Sequence, residues 1–176
     1  MGGAVAIWML ILFGQEKEKW DGAVFLAPMC KIADELVPPA PVVKALTALS
    51  SVIPTWPIVP SANIVDKSFK DKKYLEVVKS GPFYFGTPPR VATALQMLRA
   101  TNFIDSQMEK LTVPFLILHG AADTVTDPLM SKTLYERSQS KDKTLKLYPG
   151  VWHCVLEDPD SQQAWADMFA WLNDHL

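Results

Sequence analysis

The sequence predicts an α/β fold in which a parallel sheet carries helices and is interrupted by a helical insertion. Short apolar runs closed by proline or glycine recur along the chain, which is typical of buried parallel strands. Helical segments follow the later runs, and this alternation indicates an open sheet with right-handed crossovers. The predicted strands are residues 23–27, 113–119 and 144–148, and the predicted core helices are residues 2–14, 128–138 and 161–174.

The apolar start of the chain predicts a buried helix. Residues 1–13 are almost wholly apolar, but no Lys or Arg precedes them and no small-residue cleavage site follows before Gln15. Those flanks argue against a secretory signal. The run also meets Gly14 and a charge cluster well before the roughly 20 apolar residues that a bilayer-spanning helix needs.

The middle of the chain, residues 30–107, differs from both ends. It contains most of the 14 prolines, so no long strand is expected there. Val42, Leu46, Leu49 and Ile53 share one helical stripe, and residues 90–100 form a second amphipathic helix. We therefore predict a core helix and strand in residues 1–29, an inserted helical cap in residues 30–107 and a C-terminal core in residues 108–176.

Composition limits the classes of partner and cofactor. Lys and Arg number 17 against 19 Asp and Glu, a net charge of −2, so no nucleic-acid partner is expected. Two cysteines, Cys30 and Cys154, are too few for a disulfide scaffold, which favours a reducing, cytoplasmic setting. The sequence holds no metal-ligand cluster, phosphate-binding glycine loop or dinucleotide fingerprint, so we expect no metal and no cofactor.

Two aspartates follow the strand predicted at residues 113–119, at the sheet edge where open α/β sheets place functional groups. Asp127 directly precedes Pro128 at a helix start, so we interpret it as a helix N-cap. Asp123 precedes the helix on the loop that leaves the strand, and it is therefore the candidate site carboxylate. Its structural alternative is an Asx turn that stabilises the loop.

A histidine follows the next strand end. His153 comes after the turn Pro149-Gly150, 30 residues beyond Asp123, so one crossover brings the two side chains to the same edge. An aspartate beside a histidine fixes the imidazole tautomer and makes the ring a general base. We expect a hydrogen bond between them, His119 to pack or bond locally, and His175 to be solvated.

Four stretches of the chain carry a family resemblance. They are Met1-Gly2-Gly3-Ala4, residues 26–33 (LAPMCKIA), residues 118–128 (LHGAADTVTDP) and residues 148–153 (YPGVWH). Together they resemble the monoacylglycerol lipase family of serine hydrolases, and especially its plant branch with lysophospholipase-like and caffeoylshikimate esterase-like members. The resemblance covers essentially all 176 residues.

The resemblance implies the C-terminal part of an α/β-hydrolase. Asp123 matches the triad acid, His153 matches the triad base, and Met1 matches the residue after the nucleophile, whose backbone N–H belongs to the oxyanion hole. The family's serine, on its Gly-x-Ser elbow, would precede Met1, so we expect the 176-residue chain on its own to be inactive. Neither Cys30 nor Cys154 lies on such an elbow, so neither is expected to replace the serine.

The implied activity is hydrolysis of carboxylic esters, with an acylglycerol or lysophospholipid as the first substrate class. One alternative is a non-catalytic binding or interaction module derived from the hydrolase. Another is a different α/β-hydrolase such as an epoxide hydrolase, whose Asp nucleophile the Met-Gly-Gly start argues against. Apolar cap residues could line an acyl tunnel, contact a membrane peripherally or pack on the core: Trp56, Phe83, Tyr84 and Phe85.

Overall fold

A parallel sheet organises the protein. The structure is a computed structural model, and it describes residues 1–14, 20–31, 39–59, 64–84 and 86–176; Phe85 lies outside these ranges. Strands β1 (Ala23–Leu26), β2 (Phe115–Gly120) and β3 (Lys143–Tyr148) pair in parallel in the order β1-β2-β3. The predicted α/β fold is confirmed, and β1 begins at the predicted residue while β2 starts two residues later than expected.

Helices flank the sheet and form the insertion. The seven α-helices of the described residues are α1 (Gly2–Phe13), α2 (Ala40–Ser50), α3 (Ile64–Ser68), α4 (Lys72–Ser80), α5 (Val91–Gln107), α6 (Pro128–Arg137) and α7 (Gln162–His175). Asp127 caps α6 as predicted, because its carboxylate accepts the N–H of Leu129 at 2.8 Å. Helix α5 continues to Gln107, beyond the predicted end at residue 100, because Thr101 and Ile104 extend its buried stripe.

The core lies on both faces of β2, whose six residues are all buried. On one face Ile7 of α1, Ile104 of α5 and Leu134 of α6 belong to one apolar cluster, and all three are fully buried. On the other face α7 contributes Trp171 to a second cluster. Burial on both faces explains why β2 reads as a continuous apolar run.

The prediction that α1 is buried holds for only one of its faces. Ala4, Ile7, Leu10 and Ile11 are buried, whereas the opposite face is exposed and forms a shallow apolar groove. An apolar run with no polar face gives no periodic signal, so the sequence could not show which side meets the core. The groove is lined by Val5, Trp8, Met9 and Leu12.

Among the described helices of the inserted segment, α5 is the one that contributes buried apolar residues to the core. Helix α2 has no buried residue; Leu46, Leu49 and Ile53 are half-buried, but Val42 is exposed. The later part of α5 lies against α1, where the rings of Trp8 and Phe103 stack with centroids 4.8 Å apart. Helix α5 thus joins the insertion to the core, and the three-part division of the chain remains a prediction.

The expectation that His175 is solvated is wrong. Its ring stacks on Trp171 with centroids 3.8 Å apart, and its side chain is only 17% exposed. Nδ1 lies 2.7 Å from the Trp171 carbonyl oxygen and Nε2 lies 2.9 Å from the Asp142 carboxylate. Both nitrogens face acceptors, so both bonds require the protonated ring, which attaches the end of α7 to the loop before β3.

We expect this contact to make stability depend on pH. Partial burial lowers the pKa of His175, but the hydrogen bonds to the Trp171 carbonyl and to Asp142 outweigh it and raise the pKa above its ordinary value. A raised folded-state pKa stabilises the fold below the unfolded-state pKa, and the gain is lost as pH rises through the folded-state pKa. Because Asp142 is exposed, the loss should be at most about 1 kcal/mol.

Urea unfolding from about pH 6 to about pH 8.5 measures this contribution. His175→Ala and Asp142→Asn should each flatten the same part of the pH profile, since each removes one partner of the ion pair. An unchanged profile in both variants would contradict an imidazolium at position 175.

Candidate active site

The ends of β2 and β3 bring two loops together. The N–H of Ala121 donates to the Tyr148 carbonyl at 2.8 Å, and the N–H of Ala122 donates to the Val151 carbonyl at 3.1 Å. Gly120 permits this approach: a Cβ on it would lie 2.3 Å from the Val151 carbonyl oxygen. Main-chain contacts therefore set the distance between the loop that follows β2 and the loop that follows β3.

Asp123 and His153 meet at this edge, as expected. Oδ2 of Asp123 lies 2.8 Å from Nδ1 of His153, within ordinary hydrogen-bond range. The nitrogen facing a carboxylate is assigned as the donor, so in the neutral ring Nε2 keeps its lone pair. This tautomer can accept a proton at Nε2 while Asp123 stabilises the resulting charge.

The environment of Asp123 favours its ionised form. Burial raises the pKa of this carboxyl group, but hydrogen bonds from His119, His153, Thr126 and the Val125 N–H outweigh burial and hold the pKa well below its usual range. The side chain is fully buried, yet it is extensively hydrogen-bonded. A permanent negative charge therefore faces His153 at neutral pH.

Thr126 is a site residue that the sequence analysis missed. Its hydroxyl donates to Oδ2 of Asp123 at 2.7 Å, while Oδ1 accepts the N–H groups of Val125 at 2.7 Å and Thr126 at 3.1 Å. Ala27, at the end of β1, has φ of +41° and places its carbonyl oxygen 3.3 Å from the same hydroxyl. Thr126 follows Asp123 by three residues. This spacing is typical of an Asx-type turn, and it is the sequence signal that could have identified Thr126 as a partner of Asp123.

His119 makes a local bond, as expected, but its partner is the site acid. Its ring is fully buried, with Nε2 3.0 Å from Oδ2 of Asp123 and Nδ1 2.7 Å from Oγ of Ser131 on α6. Asp123 therefore lies between two histidines, and only His153 is partly exposed.

The loop that carries His153 is attached to the inserted segment. The buried Asp158 accepts the N–H of Trp152 at 3.1 Å, and the N–H of Cys154 donates to the Ser68 carbonyl at 3.0 Å. Lys70 donates to the Gly150 carbonyl at 3.3 Å and to Asp160 at 2.6 Å. No local sequence pattern indicates the contacts of Ser68 and Lys70, because their partners lie 80 to 90 residues further along the chain.

The two cysteines do not have the character of nucleophiles. Cys30 is fully buried, and burial raises the pKa of its thiol to about 12. Burial, then the charges of Glu157 and Asp123, raise the pKa of Cys154 to about 12 as well. Thiolate, the nucleophilic form, is therefore scarce at neutral pH.

The start of α1 lies near the carboxyl end of β1. A Cβ on Gly3 would come 2.9 Å from Cβ of Pro28, which follows β1, and the Met1 carbonyl accepts the N–H of Ala4 at 3.0 Å. Met1 therefore occupies the N-cap of a helix at the sheet edge that carries Asp123 and His153. Its role in an oxyanion hole remains a proposal.

Known proteins resemble this chain across nearly its whole length. Residues 1–160 match the family described as serine aminopeptidase, S33. The chain is 35% identical over 179 aligned residues to caffeoylshikimate esterase of Arabidopsis thaliana, covering 100% of the chain and 53% of the relative. It is 31% identical over 159 residues to monoglyceride lipase of Homo sapiens, covering 88% of the chain and 49% of that protein.

Solved structures share the fold. The monoacylglycerol lipase of Paleococcus ferrophilus superposes with a TM-score of 0.83 at 20% identity, covering 99% of this chain and 65% of that one. A soluble variant of monoglyceride lipase from Saccharomyces cerevisiae, in complex with a substrate analogue, gives a TM-score of 0.78 at 22% identity and covers 98% and 59%. The chain spans about half the length of the curated relatives it matches.

The described residues contain neither a metal-ligand cluster nor a membrane-spanning helix. No group of three or more His, Cys, Asp or Glu side chains there could hold a metal ion. Within the same ranges, no helix combines the length and apolar character needed to cross a bilayer.

Proposed function

The chain belongs to the serine aminopeptidase S33 family of α/β-hydrolases, and from that premise we propose that it supplies the acid and base of a serine ester hydrolase. The observation that carries the proposal is the 2.8 Å contact between Asp123 and His153 at the ends of adjacent strands. The similarity to monoglyceride lipases and to an esterase supports an ester substrate.

The proposed chemistry follows from the tautomer of His153. Nε2 accepts the proton of the family's serine hydroxyl as its oxygen attacks the ester carbonyl, and the negative charge of Asp123 stabilises the imidazolium. The imidazolium then protonates the leaving alcohol as the ester C–O bond breaks. Water attacks the acyl-enzyme with the same base, which releases the acid and restores the serine. The N–H of Met1, at the start of α1, is the proposed oxyanion donor on this side.

The proposed substrates are acylglycerol or lysophospholipid esters. Trp56 and Phe83 of the inserted segment are largely exposed, and they are the side chains we propose for contact with a lipid acyl chain or a lipid surface. Caffeoylshikimate is the second candidate substrate, because the Arabidopsis relative named caffeoylshikimate esterase is 35% identical over the whole chain. A substrate panel with monoacylglycerol, lysophospholipid and caffeoylshikimate distinguishes these classes.

Two proteins test the proposal. The 176-residue chain by itself should neither react with a fluorophosphonate nor hydrolyse a nitrophenyl ester above the His153→Ala background. The same chain, joined to a family N-terminal segment with its Gly-x-Ser elbow, should do both, and the His153→Ala variant of that protein should lose hydrolysis. Serine labelling of the chain alone would contradict the expected inactivity.

The same assay decides between the alternative functions. Hydrolysis that does not depend on His153 would overturn the proposed role of the base. The epoxide hydrolase alternative needs a second joined protein, in which Asp replaces the elbow serine: epoxide turnover by that protein, with no ester turnover by the serine-containing one, would favour it. A joined protein that folds, binds an ester and turns over nothing would favour the binding module.

A further inference from the structure

Asp123 is held at both of its oxygens. Oδ1 accepts two main-chain N–H groups, from Val125 and Thr126, which fix the plane of the carboxylate. Oδ2 lies 3.0 Å from Nε2 of His119, 2.7 Å from Oγ1 of Thr126 and 2.8 Å from Nδ1 of His153. The oxygen that faces His153 therefore shares its charge with other donors.

His119 can donate to that oxygen without bringing a second charge into the core. The Ser131 hydroxyl, 2.7 Å away, can donate to Nδ1 while the N–H at Nε2 donates to Asp123, so the neutral ring satisfies both contacts. A fully buried imidazole is costly unless both nitrogens are bonded, and an apolar side chain would fill this space between β2 and α6 more favourably. Packing alone does not explain a histidine here.

We propose that His119 is a positioning residue, which links the Asp123 carboxylate to Ser131 of α6 and draws charge from Oδ2, and so controls how readily His153 takes up a proton. This inference rests on the proposed function, since it concerns the base of that reaction. His119 does not touch the reacting atoms and acts only through Asp123.

Other ionisable groups near His153 do not replace this contact. From the inserted segment, Lys70 reaches the carbonyl of Gly150 and bonds Asp160, and its Nζ lies 3.9 Å from Asp158. Among the ionisable side chains of the described residues, His119 and His153 form hydrogen bonds with the Asp123 carboxylate. The ionisable groups on the elements around His153, which together set the charge that faces its ring, are Asp123, His119, Lys70, Asp158, Asp160, Glu157 and the neighbouring thiol of Cys154.

The test measures how fast diethyl pyrocarbonate modifies His153, because this reagent acylates only the unprotonated ring. In His119→Leu, Oδ2 loses a donor while the main chain still fixes the carboxylate, so more negative charge faces His153 and favours its protonated form. We expect the modification rate at about pH 6 to fall about threefold and the difference between the two proteins to disappear by about pH 8.5.

His119→Gln is the matched variant. Its side-chain amide nitrogen reaches the position of Nε2 and still donates, so the rate at His153 should stay at the original value at both pH values. Ser131→Ala keeps the ring but removes the donor to Nδ1, so a weaker change in the direction of His119→Leu is expected. If His119→Leu does not fold, Ser131→Ala decides the question.

The chain provides its own internal reference. No Lys or Arg follows Lys146, so trypsin releases residues 147–176 as one peptide that contains both His153 and His175. Both ring nitrogens of His175 are bonded, so His175 should react slowly and at the same rate in every variant. Unchanged reactivity of His153 in both His119→Leu and Ser131→Ala, or a rise at about pH 6, would overturn the inference.

The result is independent of the ester assay. If the His119 variants leave the reactivity of His153 unchanged, the proposed catalytic roles of Asp123 and His153 still stand. Hydrolysis that does not need His153 would refute the proposed function even if His119 controls the reactivity of the ring.

Discussion

Replacing Asp123 by Asn should lower ester turnover by about 10⁴-fold in a protein that contains both this chain and the family's serine. Asn removes the negative charge that stabilises the imidazolium. Its amide can also donate to Nδ1 of His153, which moves the ring proton to Nε2 and leaves no lone pair facing the serine. The loss should appear in kcat more than in KM, because the interaction forms in the transition state. Initial rates over a range of ester concentrations measure both.

Asp127→Asn is the matched control for this prediction. Asp127 lies in the same acidic loop, but its carboxylate caps α6 through the Leu129 N–H. Asn is as good an N-cap as Asp, so turnover should stay within about twofold of the original protein. Equal losses in the two variants would mean that loop charge, rather than the bond to His153, sets the rate.

Replacing Gly120 by Ala should lower the free energy of unfolding by about 3 kcal/mol and separate the two site loops. The new Cβ would lie 2.3 Å from the Val151 carbonyl oxygen and 2.4 Å from that of Trp152. Both obstacles are main-chain atoms, so no side-chain rotation relieves the overlap. The segment must move instead, and it carries His153 away from Asp123.

Gly2→Ala is the control, since no atom other than those of its chain neighbours and its own helix backbone lies within 4 Å of the position where its Cβ would be added. Gly2 is the first residue of α1, where Ala is the better helix former, so the free energy of unfolding should not fall. Urea unfolding measures the stability of each variant, and the modification rate of His153 reports whether its loop has moved. A Gly120→Ala protein as stable as the original would show that the loops do not need their close approach.

The strands and the site pair could be predicted because local rules determine them. Continuous apolar runs mark β1 and β2, although of these two strands only β2 is buried along its whole length. The carboxyl ends of adjacent parallel strands bring Asp123 and His153 together. The rules of helix capping distinguished the site candidate Asp123 from the N-cap Asp127. An Asp followed by Pro at a helix start already has a hydrogen-bond partner in the first turn of the helix.

The features that could not be predicted depend on contacts that no local sequence pattern indicates. His175 bonds Asp142, 33 residues away, and Lys70 bonds Asp160, 90 residues away. The apolar sequence of α1 does not distinguish its buried face from its exposed one. Thr126 and His119 lie close to Asp123 in sequence, but their contact with it depends on how the loop folds back over the end of β2.

The bond between Cys154 and Ser68 makes one amide a local reporter of motion. Ser68 is the last residue of α3, and its carbonyl accepts the N–H of the residue that follows His153. That proton can exchange with solvent deuterium only after the bond opens. Its exchange rate therefore measures how often the contact between the inserted segment and the loop that carries His153 opens. The reporting amide is adjacent in sequence to His153.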